Sequence, residues 1–343
     1  MKKHLIDIER KFNLANKSEL TLDLSQNERN FPLPEEFFNY FLKSINQRDI
    51  FFYPDVSTLK TKLATYHNIK VDNILLTPGS DIGIKTIFEA FDLKGKNIIT
   101  TDYSFPMYKV YSDIYQAELR VVSYKDLKVD LSKILKLINK KTKFIILANP
   151  NSPIGDFYRY EQLVPLLDTG LPVVIDEAYI ELTVYDSIVS KLHLHPNLII
   201  LRTMSKGFGA AGLRVGYVIA NQEYSEILAK LRFMYEITSI SAKYCEAVLD
   251  NINYFKLYAG KLLSEKTKAV GKFESKYEVI DTDTSWFFIN NEVDNQDLIN
   301  NLHKHKVGIR TIDLPHSDKR KNWIKVNYDL SLTDNCLQKY FLL

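Results

Sequence analysis

Short apolar runs, each bounded by turn residues and followed by a helical pattern, recur along the middle of this chain. Residues 73–77 (NILLT) form one run, followed by Pro78-Gly79-Ser80 and a helical pattern over 81–91. Residues 97–101 (NIITT) predict a second strand, with a helix over 108–116 and a third strand over 119–122. Runs at 143–148 (KFIILA), 173–176, 198–201 (LIIL) and 215–220 continue the series. Strands without a polar face, separated by helices, belong in a sheet covered on both sides. The pattern therefore predicts an α/β fold with a mostly parallel central sheet.

Past about residue 251 the pattern changes. Residues 254–272 predict a long charged helix, 286–289 a strand, 297–304 a helix, and 307–311 and 323–326 two more strands. That is the pattern of a small α+β domain. A chain of 343 residues is longer than one core usually holds. The expected division is a large domain over 45–252 and a small domain made from 1–44 and 253–343.

Composition narrows the function. Hydrophobic residues make up 45% and charged residues 25%, which excludes wholesale disorder. The net charge is +3 and the lysines are scattered, so no nucleic-acid partner is expected. The two cysteines, Cys245 and Cys336, lack metal-ligand spacing, and no metal is expected. No apolar stretch approaches the roughly 20 residues that span a bilayer. Residues 1–13 lack the apolar centre of a signal peptide. The expectation is a cytoplasmic protein without a membrane partner.

Four segments carry candidate chemistry. In Thr203-Met204-Ser205-Lys206-Gly207-Phe208-Gly209, followed by Gly212-Leu213-Arg214-Val215-Gly216, a lysine sits after an apolar strand among glycines, hydroxyls and an arginine. Hydroxyls and a guanidinium suit a phosphate, and a lysine beside it suits a Schiff-base nucleophile. In Val173-Val174-Ile175-Asp176-Glu177-Ala178-Tyr179, an aspartate ends an apolar strand, where parallel sheets place ligand groups. Asn149-Pro150-Asn151-Ser152-Pro153 makes a rigid polar loop after the 143–148 run. Thr77-Pro78-Gly79-Ser80-Asp81 opens a helix, whose free N–H groups attract anions. Each alone has an ordinary reading as a loop lysine, a strand-end cap, a turn or an N-cap.

Their order along the chain, GSD, NPNSPIG, DEAY and SKGFGAAGLRVGY, resembles the class I/II aminotransferases that depend on pyridoxal 5'-phosphate. The nearest branch is that of histidinol-phosphate aminotransferase and threonine-phosphate decarboxylase. The resemblance runs from about Leu22 to Asn335 and implies the fold type I architecture of that family. It implies that Lys206 carries the cofactor and moves the proton, that Asp176 pairs with the pyridine nitrogen, and that Tyr179 bonds the ring oxygen. Ser80, Asp81, Thr203, Ser205 and Arg214 would hold the cofactor phosphate, and Phe105 would stack on the ring. Tyr53 matches a tyrosine that reaches the partner subunit's site, which implies a homodimer. Asn27 and Arg310 fall in the substrate-side segments, and Arg310 favours a phosphorylated small-molecule substrate.

Two positions depart from the family pattern. Where the family has an asparagine that bonds the ring oxygen, this chain has Ser152, with Asn151 beside it as a substitute. The arginine that grips the substrate carboxylate falls on Trp323. An indole cannot make a bidentate contact. Arg29, Lys325 or Arg310 could take over, one substrate could lack the carboxylate, or the enzyme could decarboxylate. The leading expectation is therefore an aminotransferase acting on a small phosphorylated compound, with L-glutamate as a candidate donor. A decarboxylase of phosphorylated amino acids is the second reading. A non-catalytic regulatory module is third, disfavoured by intact Lys206 and Asp176 and by the absence of an added DNA-binding segment.

Overall fold

The computed structural model describes residues 3–9, 19–291, 295–315 and 322–343. In chain order, β1 (Leu22–Asp23) is followed by β2 (Ile74–Thr77), β3 (Asn97–Thr101), β4 (Glu118–Val122) and β5 (Thr142–Ala148). Next come β6 (Val173–Asp176), β7 (Leu198–Thr203), β8 (Gly216–Ala220), β9 (Glu278–Ile280) and β10 (Trp286–Asn290). The last are β11 (Val307–Gly308), β12 (Arg310–Asp313) and β13 (Asn322–Asn327). Seven of these form one sheet in the order β2-β8-β7-β6-β5-β3-β4. Every strand expected between residues 73 and 220 is in it. Only β8 runs against its neighbours. The reason is local: the β7–β8 connection holds only a 3-10 turn, Ala211–Leu213, and a parallel return needs a longer crossover.

Both faces of this sheet are covered, as the unbroken apolar runs require. Ile145, Leu147, Ile175 and Ile200 pack under helices Ser57–His67 and Ser239–Asp250 through Leu59, Leu63, Cys245 and Val248. The alternate residues Ile146, Val174, Ile199 and Leu201 pack under helices Gly79–Ala90 and Met107–Ile114 through Ile84, Phe88 and Tyr108. Helix Glu35–Ser44 also joins the large sheet, because Phe37 and Phe41 enter the first of these cores. Placing all of residues 1–44 with the small domain is corrected at this helix.

The second sheet has the order β12-β13-β10-β9 and is antiparallel throughout. Helix Ile252–Phe273 backs it through Leu262, Val270 and Phe273, which meet Phe287, Ile324 and Val326. The strand expected over 307–311 is two strands. Val307–Gly308 pairs with β1, whereas Arg310–Asp313 pairs with β13. Among the described residues no helix is long and apolar enough to cross a membrane.

Candidate active site

Strands β5, β6 and β7 end side by side, with Ala148 opposite Asp176 and Asp176 opposite Leu201. The carboxyl ends of parallel strands leave their loop residues free for ligands. The reversed β8 adds the remaining wall. Gly216 pairs with Thr77 on one side and Thr203 on the other. A Cβ on Gly216 would lie 2.4 Å from the backbone of Gly79 and Ser80, so only glycine lets these segments meet. One cavity results, lined by Ser80, Asp81, Phe105, Ser152, Asp176, Tyr179, Thr203, Ser205, Lys206 and Arg214.

Asp176 is buried at its floor. Its Oδ2 accepts from the phenol of Tyr108 at 2.8 Å, and its Oδ1 accepts from the Ala178 N–H at 3.2 Å. Burial pushes its carboxyl up to about 6, against the pull of these two donors and with help from the charge of Asp81. Nothing in the sequence reading singled out Tyr108. The available signal was its spacing: Tyr108 and Tyr111 lie three apart on one helix, and Tyr111 donates to Asp81 at 2.9 Å.

Lys206 enters from the loop after β7. Its Nζ donates to the Gln26 carbonyl at 2.9 Å and stands 5.6 Å from the Tyr179 ring centre. Tyr179 is fixed by an edge contact with Trp286, ring centres 5.0 Å apart. Phe105 lies at the mouth, edge-on to Tyr108 at 5.9 Å.

The side near Gly79 is a donor cradle. The Ser205 hydroxyl is buried with no hydrogen-bond partner. The Arg214 guanidinium lies over Gly79, where a Cβ would come within 2.5 Å of Nη2. Ser80 stands in the first turn of helix Gly79–Ala90. A hydroxyl without an acceptor, a guanidinium and a helix N-terminus together match a phosphate dianion. With Lys206 and Asp176 on the other walls, the residues present fit pyridoxal phosphate. Asp81 fits a different role from the one expected: a carboxylate only accepts, so its side chain cannot hold a phosphate and is instead bonded to Tyr111.

Other expected site residues lie elsewhere. Asn151 donates to the Tyr103 carbonyl at 3.0 Å and the Tyr124 hydroxyl at 2.7 Å, and accepts from Ser104 at 3.0 Å. Its amide is committed to the loop, so Ser152 alone of this pair reaches the cavity. Trp323 is corrected as a substrate contact, because its indole is buried among Tyr124, Ile154, Trp286, Phe288 and Leu314. Arg29 is tied to the carbonyls of Phe31 and Pro32 and to the Tyr254 hydroxyl. Arg310 lies at the exposed start of β12. Asn27 is buried, bonded to Lys325 at 2.8 Å. Tyr53 does not line its own chain's cavity; it is 77% exposed and stacks on Tyr235 at 4.3 Å.

Known proteins resemble this chain throughout. The family model for aminotransferase class I and II matches residues 20–339. A histidinol-phosphate aminotransferase of Christiangramia forsetii is 39% identical over 221 residues, a match spanning 63% of this chain and 63% of that protein. One from Clostridium novyi is 30% identical over 313 residues, 89% of this chain and 86% of that protein. Among solved structures, a histidinol-phosphate aminotransferase of Sinorhizobium meliloti in complex with pyridoxal-5'-phosphate superimposes with a TM-score of 0.84 at 20% identity, covering 99% of this chain and 95% of that one. An L-threonine-O-3-phosphate decarboxylase of Porphyromonas gingivalis reaches 0.77 at 20% identity, covering 94% and 98%. At that identity these structural likenesses are likenesses of fold.

Proposed function

The chain belongs to the class I and II aminotransferases, and from that premise we propose that it moves an amino group between L-glutamate and a small phosphorylated carbonyl compound of the histidinol-phosphate type. The observation that carries the reading is the convergence of Lys206, Asp176 and Tyr179 on one cavity beside the Ser205–Arg214 cradle.

Bound pyridoxal phosphate supplies an electron-withdrawing ring that stabilises negative charge on the substrate's amine-bearing carbon. This chain's residues do the rest. Ser80, Thr203, Ser205 and Arg214 are the donors for the phosphate. The Asp176 carboxylate, kept in place by the Tyr108 phenol, is the group to hold a proton at the ring nitrogen. The Tyr179 hydroxyl is the donor for the ring oxygen. Lys206 Nζ is the amine that carries the cofactor and, when freed, takes and returns the proton at the substrate carbon. Arg310, exposed at the start of β12, supports a phosphate on the far end of the substrate.

The relatives' names favour transamination over decarboxylation. The reading also includes a homodimer: Ile50, Phe51, Tyr53, Phe233 and Met234 are each at least 70% exposed, an apolar surface that a second copy would cover.

The test is the visible absorption of the cofactor-loaded protein. L-glutamate should bleach the band of the lysine-bound cofactor with release of 2-oxoglutarate, and the keto product of L-histidinol phosphate should restore it. A band that persists with glutamate, together with carbon dioxide release from a phosphorylated amino acid, would replace this reading with decarboxylation.

A further inference from the structure

Among the described residues three cationic side chains are buried: Arg202, Lys266 and Lys325. Arg202 is paired with Glu177 and Glu181, and Lys266 with Asp281. Lys325 has no carboxylate. Its Nζ donates to the neutral Asn27 Oδ1 at 2.8 Å and lies 4.0 Å from the Trp286 ring centre. Burial, and then the repelling charges of Arg310 and Lys206, hold its amine well below the ordinary lysine range. Burying an ammonium without an anion is costly, and the other two buried cations here avoid that cost.

The sheet explains how these cations converge. Arg310 and Lys325 are directly opposed in the β12–β13 ladder, so both side chains leave the same face of the sheet. Trp286, on neighbouring β10, touches the cavity-lining Tyr179 with its edge and carries Lys325 on its face. A single strap completes the arrangement. Consecutive residues supply the neutral acceptors, the Gln26 carbonyl for Lys206 and the Asn27 side chain for Lys325. The cavity-lining Lys206 and the buried Lys325 are therefore each capped by an uncharged oxygen.

We propose that Lys325 and Asn27 form an oxyanion subsite for the amine substrate, taking a carboxylate or phosphate oxygen of the molecule whose amine meets Lys206. This rests on the aminotransferase reading and adds to it the residue that selects an anionic amine. The anion replaces the Asn27 oxygen on Lys325, and the Asn27 carboxamide, which is also a donor, stays beside it.

The test uses cofactor-loaded protein and two anions that cannot transaminate, succinate and inorganic phosphate, measured by titration calorimetry. Asn27→Asp places a carboxylate on Lys325. It should raise the melting temperature and weaken the binding of at least one anion by about tenfold or more. Lys325→Met should cause the same loss without the stabilisation, and Lys325→Arg should largely keep binding. A loss confined to succinate assigns the subsite to a carboxylate, and one confined to phosphate assigns it to a phosphate. Wild-type protein that binds neither anion, or Asn27→Asp protein that binds both as tightly as wild type, overturns the proposal. Glutamate bleaching in the same samples is scored separately. Its failure with the anion result intact removes the transamination reading and leaves the subsite standing.

Discussion

The phenol of Tyr108 donates to Oδ2 of Asp176 across 2.8 Å, and both groups are buried. Besides this bond, Asp176 receives a longer contact from the Ala178 N–H. Tyr108→Phe therefore leaves a buried carboxylate short of a donor while preserving the ring that packs against Phe88's layer. A hydrogen bond to a charged group contributes about 1.5–3 kcal/mol. The expected result is cofactor binding weakened by about tenfold or more, with the circular-dichroism spectrum unchanged. Unaltered cofactor affinity would show that the phenol does not support Asp176.

Asp176 also makes a prediction about pH. Burial lifts its carboxyl from 3.8 to about 6 in the folded chain. Between these values the folded state holds a proton that the unfolded chain has lost. Stability of the cofactor-free protein is thus full below about pH 4 and falls as pH rises towards about 6. The loss amounts to about 3 kcal/mol. Asp176→Asn removes this dependence. Denaturant unfolding of both proteins from pH 4 to 7 should show the variant's relative stability growing across that window. A constant difference would mean that the carboxyl titrates as an exposed one does. Comparing the two proteins cancels Asp156, a half-buried carboxyl that desolvation also lifts to about 6.

Much of this site was legible in the sequence because its residues abut strong local signals. Asp176 ends an apolar strand, and Lys206 follows another within a glycine-rich loop. Three features were not legible. Tyr108 acts across layers, from a helix onto the end of a distant strand, and its spacing from Tyr111 marks a shared helix face without naming Asp176 as the partner. Asn151 and Ser152 are neighbours, and only the loop's bonds to Tyr103, Ser104 and Tyr124 decide which faces the cavity. Period-two alternation puts Trp323 and Lys325 on one face of β13. It cannot say that the indole fills the core between Trp286 and Leu314 while the ammonium meets Asn27.

The Asn151–Ser152 pair separates structure from chemistry. Asn151→Ala removes the donor to the half-buried Tyr103 carbonyl and the acceptor of Ser104, while the Tyr124 hydroxyl keeps Asp156 and Tyr158, and should cost about 1–3 kcal/mol of stability. Ser152→Ala, on the cavity wall, should change stability by less than about 0.5 kcal/mol and weaken the cofactor only a few-fold. Thermal unfolding and cofactor titration of both variants measure this. The assignment fails if Asn151→Ala loses cofactor at unchanged stability.

The last prediction concerns the exposed surface around Tyr53. Phe233 is 85% exposed, Met234 84%, Phe51 71% and Ile50 70%, and apolar surface of this extent is normally covered in solution. Sedimentation should find a dimer, and Phe233→Glu combined with Phe51→Glu should yield a monomer, since a two-fold interface repeats each new carboxylate and would bury all four without partners. Whether Tyr53 completes the partner's site is decided by mixing two defective proteins. Lys206→Ala should lower activity by several orders of magnitude, because the cofactor-bearing amine and the proton carrier are the same group. Tyr53→Ala keeps Lys206 but would deprive the partner's cavity of its phenol. If Tyr53 acts across the interface, a mixed dimer has one site with both lesions and one with neither. Random exchange of equal amounts then gives half mixed dimers, and activity recovers to about a quarter of wild type. If Tyr53 acts only within its own chain, every site keeps a lesion and mixing recovers nothing beyond the average of the two parents.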